Sequence, residues 1–261
     1  MLLLLLKIVL APVLIALVSL AGRKWGPGVA GWLLGLPLNS GPILFFMLLE
    51  QGPRFAAEAT RGSLLGIVAW ASFCVVYAFC CLGMPWWWST LAGWIAYFIV
   101  AWALLPLRLT VIWGFVLVTV TLFVFSLIFP KAPQPDSASS QDRPDLWLRM
   151  ATASVMVVIL TGVAKMLGPT RSGLLTAFPA YTTILAVFTH RHGAALAVQA
   201  LKGVTTGLYT AATFFLVLSL CLARLGNTRS FVWASAAALG VHAASLLLVR
   251  RGVAAMDRQA D

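Results

Sequence analysis

Eight residues stand out from long apolar surroundings by their helix-breaking or polar character: Pro37, Asn39, Glu58, Arg61, Pro179, Tyr181, Gln199 and Lys202. A proline inside an apolar helix removes one backbone hydrogen bond and clashes with the preceding turn, at a cost of about 3 kcal/mol. The carbonyls it frees need partners. Asn39-Ser40-Gly41-Pro42 follow Pro37, and Tyr181-Thr182-Thr183 follow Pro179, so polar side chains gather where each helix is expected to break. This pattern predicts a pair of discontinuous helices lining a substrate cavity. The plainer alternative is a proline kink whose free carbonyls are satisfied by neighbouring hydroxyls.

Arg61 and Lys202 each lie about two turns into an apolar stretch, where a centred charge costs at least about 2.5–3.5 kcal/mol. Glu58, three residues before Arg61, shares its helical face and can pair with it. Gln199 stands in the same place before Lys202 and cannot. Two cations at matched positions predict contact with an anionic substrate group; snorkelling to headgroup phosphates is the alternative. Gly62-x3-Gly66 and Gly203-x3-Gly207 follow directly, a spacing that lets helix backbones approach closely and reads as packing.

No catalytic set accompanies these residues: the chain has no GxSxG, HExxH or P-loop, and no pair of intramembrane acids. Outside a polar linker and the C-terminal tail the only acids are Glu50 and Glu58. His190 and His192 flank Arg191 without the carboxylate or cysteine partners of a metal site, and His242 reads as a hydrogen-bonded core residue. Cys74, Cys80, Cys81 and Cys221 have neither metal-ligand nor disulfide spacing and read as structural thiols. The expectation is a protein without enzymatic activity, metal or cofactor.

The elements that must position these residues follow from composition. Of 261 residues, 61% are hydrophobic and 10% charged, far from the roughly 25% charged residues of a soluble domain. Apolar stretches near the length that crosses about 30 Å of hydrocarbon cover residues 2–22, 26–50, 54–82, 88–105, 107–129, 147–167, 173–189, 194–222 and 231–249. The expected fold class is all-α, a polytopic helical membrane protein with about nine transmembrane helices. The N-terminal stretch lacks a basic leader and is longer than the apolar core of a signal peptide, so it reads as a retained first helix. Trp86, Trp87 and Trp88 open a span, where indoles sit well at headgroup depth. The formal charge of +11 comes from bases dispersed singly between apolar stretches, a pattern that suits anionic lipid headgroups and excludes nucleic acid.

Residues 131–145, rich in Pro, Ser and Asp, form a solvated linker that divides the chain in two. Across a shift of about 142 positions, Lys7 falls on Arg149, Arg23 on Lys165, Gly26-Pro27 on Gly168-Pro169, Gly31 on Gly173 and Pro37 on Pro179. After a one-residue gap, Gly52 falls on Gly193, Ala56 on Ala197, Glu58 on Gln199, Arg61 on Lys202, Gly62 on Gly203 and Gly66 on Gly207. Apolar composition alone does not keep glycines, prolines and bases in one order. The organisation expected is a first membrane repeat over 1–105, an extra helix over 106–130, the linker over 131–146, a second repeat over 147–250 and a tail over 251–261. An odd helix between two four-helix units inverts the second unit relative to the first and places a site between them. Counts of Lys and Arg on the two sides do not fix orientation. If residues 26–50 and their counterpart were re-entrant hairpins, the repeats would instead be parallel.

The second half resembles the GlpM-like family of small four-helix bacterial membrane proteins. The residues that carry the likeness are Lys165, the stretch Gly173-Leu174-Leu175-Thr176-Ala177-Phe178-Pro179-Ala180-Tyr181, then Ala200-Leu201-Lys202 and Gly207. Gly31-Trp32-Leu33-Leu34-Gly35-Leu36-Pro37 stands in the same place in the first half. The spacing is also similar to that of the small multidrug resistance proteins, and the duplicated form to that of the larger drug/metabolite transporters. Neither residues 2–22 nor 147–167 contain an acid, so the glutamate-based proton exchange of the small multidrug proteins is not implied. The functional expectation is a bacterial inner-membrane transporter or flippase-like protein moving a small anionic or amphipathic substrate, with membrane lipids as its surroundings. The competing expectation is a non-transporting scaffold subunit of an envelope or polysaccharide assembly.

Overall fold

The structure is a computed structural model that describes residues 2–37, 40–131, 146–164, 177–222 and 225–257. Its helix boundaries follow from glycine and proline. The four residues with positive φ among those described are Gly26, Gly52, Gly193 and Gly226, and each sits just before a helix start, where a side chain would be strained. Among the described residues all regular structure is helical. The elements are α1 (Leu2–Trp25), α2 (Pro27–Leu34), α3 (Ser40–Cys80), α4 (Trp86–Leu104), α5 (Val111–Ile128), α6 (Leu146–Ala164), α7 (Ala180–His190), α8 (Ala194–Leu222) and α9 (Asn227–Asp257). Helix α3 is two helices joined at Gly52, whose φ of 84° and ψ of 173° interrupt it.

Four helices are long and apolar enough to cross a membrane among the described residues: Phe55–Cys80, Trp86–Leu104, Val111–Ile128 and Ala194–Leu222. That is fewer than the nine expected from the sequence. The stretch 26–50 is not one helix: α2 has eight residues, about 12 Å, and a second piece begins only at Ser40. Its counterpart α7 has 11 residues, again too short to cross alone. Pro37 and Pro179 therefore do not sit inside helices as the sequence suggested. Each precedes a helix and accepts its first hydrogen bond, Gly41 N–H to the Pro37 carbonyl at 2.8 Å and Thr183 N–H to the Pro179 carbonyl at 2.7 Å. At that position a missing N–H costs little.

Helix directions can be read from contacts. A Cβ at Gly31 would strike the Ala200 carbonyl, one at Gly35 the backbone of Gly207, and one at Gly41 would meet the Phe214 ring at 3.6 Å. Gly31, Gly35 and Gly41 thus meet successively later residues of α8, so α2 and the start of α3 advance along it in one direction. Bare glycine on both sides, Gly31 facing Ala200 and Gly203 facing Gly28, lets the two backbones touch. The part of α3 after Gly52 instead runs antiparallel to α8: Cys74 lies beside Thr205, and the Cys81 thiol reaches the Ala194 carbonyl at 3.9 Å. Helices α1 and α6 are also antiparallel, since Ile15 packs on Ala153 while Arg23 and Arg149 border one pocket.

The main core is built on α3 and α8, with Ile67, Phe73, Tyr77, Leu201, Leu208 and Leu218 fully buried. Helix α5 lies on both, burying only Val111, Gly114, Val118 and Leu122. Its other faces carry Ile112, Trp113, Phe123 and Leu127, all exposed, and α4 likewise exposes Ile99 and Trp102. Apolar surface of this extent is compatible with a membrane-embedded protein.

Candidate functional site

The two chain breaks meet. Pro37 and Ser40 from the first half and Ala177 and Tyr181 from the second line one cavity of about 40 Å³, closed by Trp70 of α3 and Ala211 of α8. Among the described residues no charged one lines it, and the polar side chains that do are Ser40, Tyr181 and Trp70. The volume is enough for a few waters.

Local hydrogen bonds hold the break in shape. Trp70 Nε1–H donates to Thr182 Oγ1 at 3.0 Å, and Trp94 Nε1–H of α4 donates to Thr183 Oγ1 at 3.1 Å. The Thr183 hydroxyl in turn donates to the Pro179 carbonyl at 2.8 Å, which also receives the Thr183 N–H. Phe178, between the break and α4, packs edge-on against Tyr97 with ring centroids 5.2 Å apart. Two tryptophans thus pin the start of α7 from α3 and α4, satisfying indole donors that would be costly if buried alone.

Helix α2 is pinned by a different device. Trp32 stacks on His242 of α9 with centroids 3.6 Å apart and planes within 9°, and its Nε1–H donates to Ser245 Oγ at 2.8 Å. Thr210 Oγ1 and His242 Nδ1 are 2.9 Å apart, while the buried Nε2 has no hydrogen-bond partner among the described residues. His242 is the hydrogen-bonded core residue expected from the sequence, with a stacking partner that the sequence did not announce.

The eight residues singled out from the sequence separate into groups. Pro37 and Tyr181 line the cavity, and Pro179 is buried at its edge as the residue before α7. Asn39 lies outside the described residues. Glu58, Arg61 and Lys202 are exposed and do not line the cavity, and Gln199 is half-buried where its carbonyl borders Gly28. The two cations therefore do not converge on the cavity. Trp70, Trp94 and Ala211 escaped sequence reasoning, because indole and methyl groups on all-apolar helices carry no positional signal.

Gly203 and Gly207 pack as their spacing suggested, against Gly28, Trp32 and Gly35. His190 ends α7 with its Nδ1 3.3 Å from the Tyr77 hydroxyl. All four cysteines are free thiols. No protein-family model matches the chain, and neither a curated protein nor a solved structure does.

Proposed function

We propose that this chain is a multi-pass membrane transporter or flippase-like protein of the bacterial inner membrane, moving an amphipathic substrate through the cavity where its two broken helices meet. The observation that carries this reading is the cavity itself: breaks at Pro37 and Pro179, far apart in sequence, face one uncharged, water-sized space. Discontinuous helices around a shared cavity are a device by which transporters place a site between two halves.

The same reading counts nine crossings, of which residues 26–50 and the segment ending at Thr189 are broken ones. It takes the second half as an inverted copy of the first, derived from a duplicated GlpM-like unit. Gly52 and Gly193 interrupt the chain with positive φ at matched places, which supports repetition. The part of α3 after Gly52 runs antiparallel to its counterpart α8, which supports inversion. A pseudo-two-fold axis in the membrane plane relates counterpart helices in that antiparallel sense, whereas an axis along the membrane normal makes them parallel.

The lining bears on the substrate. Arg61 and Lys202 lie on the exposed surface, so the cavity offers a substrate the hydroxyls of Ser40 and Tyr181 and the face of one indole among apolar walls, a better match for an amphiphile than for a small anion. About 40 Å³ corresponds to a closed state, and a substrate enters only when the half-helices part.

The test is movement of a fluorescent phospholipid between leaflets of vesicles containing the purified chain, read by quenching from outside. Ala211→Trp overfills the cavity beside Trp70 and the smaller Ala211→Leu intrudes on it, and both are expected to slow protein-dependent movement at least about tenfold in protein that unfolds like the parent. Absence of protein-dependent movement, or movement untouched by these substitutions, overturns the proposal.

A further inference from the structure

A second pocket, of about 30 Å³, lies one helical turn from the cavity along both α1 and α7: Val18 lines the first and Gly22 the second, Tyr181 the first and Leu185 the second. Its chemistry is different. Arg23 from the end of α1, Arg149 from the start of α6 and His192 from the turn after α7 border it, together with the Ser19 hydroxyl and Thr189. Among the described residues no carboxylate lines it.

We propose that this pocket binds a phosphate-class oxyanion. Arginine offers planar forks of N–H donors that match tetrahedral oxyanions, and two of them come here from opposite halves of the chain. The Arg149 guanidinium lies over the Phe188 ring, 4.9 Å from its centroid, so an aromatic face orients it instead of leaving it to swing freely. Ser19 supplies a hydroxyl. The Thr189 proton is already donated to the Leu185 carbonyl at 2.7 Å, so Thr189 is not counted among the donors. Helix α2 begins at the pocket with Pro27, and its positive end adds to the three bases.

Position bears on where such an anion comes from. The helix directions bring Trp25, Trp86, Trp87, Trp88 and Trp147 to the same end of the bundle as the pocket, and all five are exposed. Exposed indoles mark headgroup depth in a membrane, where lipid phosphates are abundant. A soluble phosphate would satisfy the same donors. The inference goes beyond the transport reading and is tested without it, because it concerns binding alone.

The experiment uses the purified full chain in a neutral detergent and follows thermal unfolding by intrinsic fluorescence. The probes are a short-chain phosphatidylglycerol, diacylglycerol of the same chain length, which lacks the phosphate, and inorganic phosphate with ionic strength held constant by chloride. Saturable stabilisation by phosphatidylglycerol, with phosphate inactive, supports a lipid phosphate as the ligand. Saturable stabilisation by phosphate itself supports a soluble ligand at the same site.

Arg149→Gln is expected to weaken the response at least about tenfold, the factor for one lost charge-assisted hydrogen bond, with Arg149→Lys intermediate. If Arg149→Gln does not fold, Arg23→Gln with His192→Gln removes a guanidinium and an imidazole, both on side chains that are not buried, and is expected to weaken binding by at least the same factor. The proposal is overturned by equal stabilisation from diacylglycerol and phosphatidylglycerol, by no response to any probe, or by responses that survive these substitutions.

Discussion

Gly203→Val tests the seam between α2 and α8 most sharply. Its Cβ would collide with the Gly28 carbonyl and come within 3.0 Å of the Trp32 nitrogen, both backbone atoms that cannot rotate away. Normal carbon–oxygen contact is about 3.5 Å, so the two helices must separate by more than an ångström, and a gap of that size forfeits about half of each dispersion contact. Overpacking of this kind costs roughly 1–3 kcal/mol, and the upper end applies because rigid backbone is the obstacle. Separation also pulls Trp32 off His242 and Ser245, putting a hydrogen bond of about 1 kcal/mol at risk.

A loss of about 3 kcal/mol is therefore expected, measured by unfolding of the detergent-solubilised protein. Gly240→Ala is the control, because nothing lies within 4 Å of a Cβ there. It should leave stability unchanged or raise it by up to about 1 kcal/mol, the helix propensity gained. If Gly203→Val is as stable as the parent, or if both substitutions cost the same, the close backbone approach is refuted.

Three further predictions follow from the same contacts. Trp70→Phe keeps an aromatic ring but loses the pyrrole part of the indole with its bond to Thr182, and should cost at least about 1 kcal/mol; a double-mutant cycle with Thr182→Val should show the two losses coupled, and strict additivity would contradict the contact. Thr205→Cys places a second thiol beside Cys74 and should form a disulfide between α3 and α8 under mild oxidation, read as a gel-mobility shift when the other native thiols are removed; no crosslink would contradict the antiparallel contact. Burial holds the His190 imidazole below its ordinary value of 6.5, so the fold favours the neutral ring. Stability from this group is then fully present above pH 6.5 and is lost as pH falls below it, and His190→Gln should flatten that acid limb of an unfolding-versus-pH profile.

Much of the architecture is written in punctuation. Glycines at 52 and 193 stand out in the sequence because they keep their order relative to prolines and bases, and both turn out to interrupt the chain with positive φ. Pro37 and Pro179 mark the breaks for a similar reason: polar residues follow each one. What remained hidden is orientation about the helix axis. Arg61 and Lys202 match in sequence, yet both face outward, and on helices apolar all round no amphipathic stripe says which side turns inward. Nor does sequence choose between a kink and a break at Pro37; the glycine seam with α8 and the Trp32–Ser245 bond decide that through contacts more than a hundred residues away.

The central claim, two opposed halves whose broken helices cross and meet at one cavity, is tested most directly by cysteine accessibility in intact cells. One cysteine is placed in the 131–145 linker and another near His190, on a background without Cys74, Cys80, Cys81 and Cys221. In the proposed topology, where residues 26–50 cross once and α5 adds an odd crossing, both positions belong on the same side of the membrane. Equal labelling by an impermeant reagent is the predicted result; labelling of one position and protection of the other would contradict it.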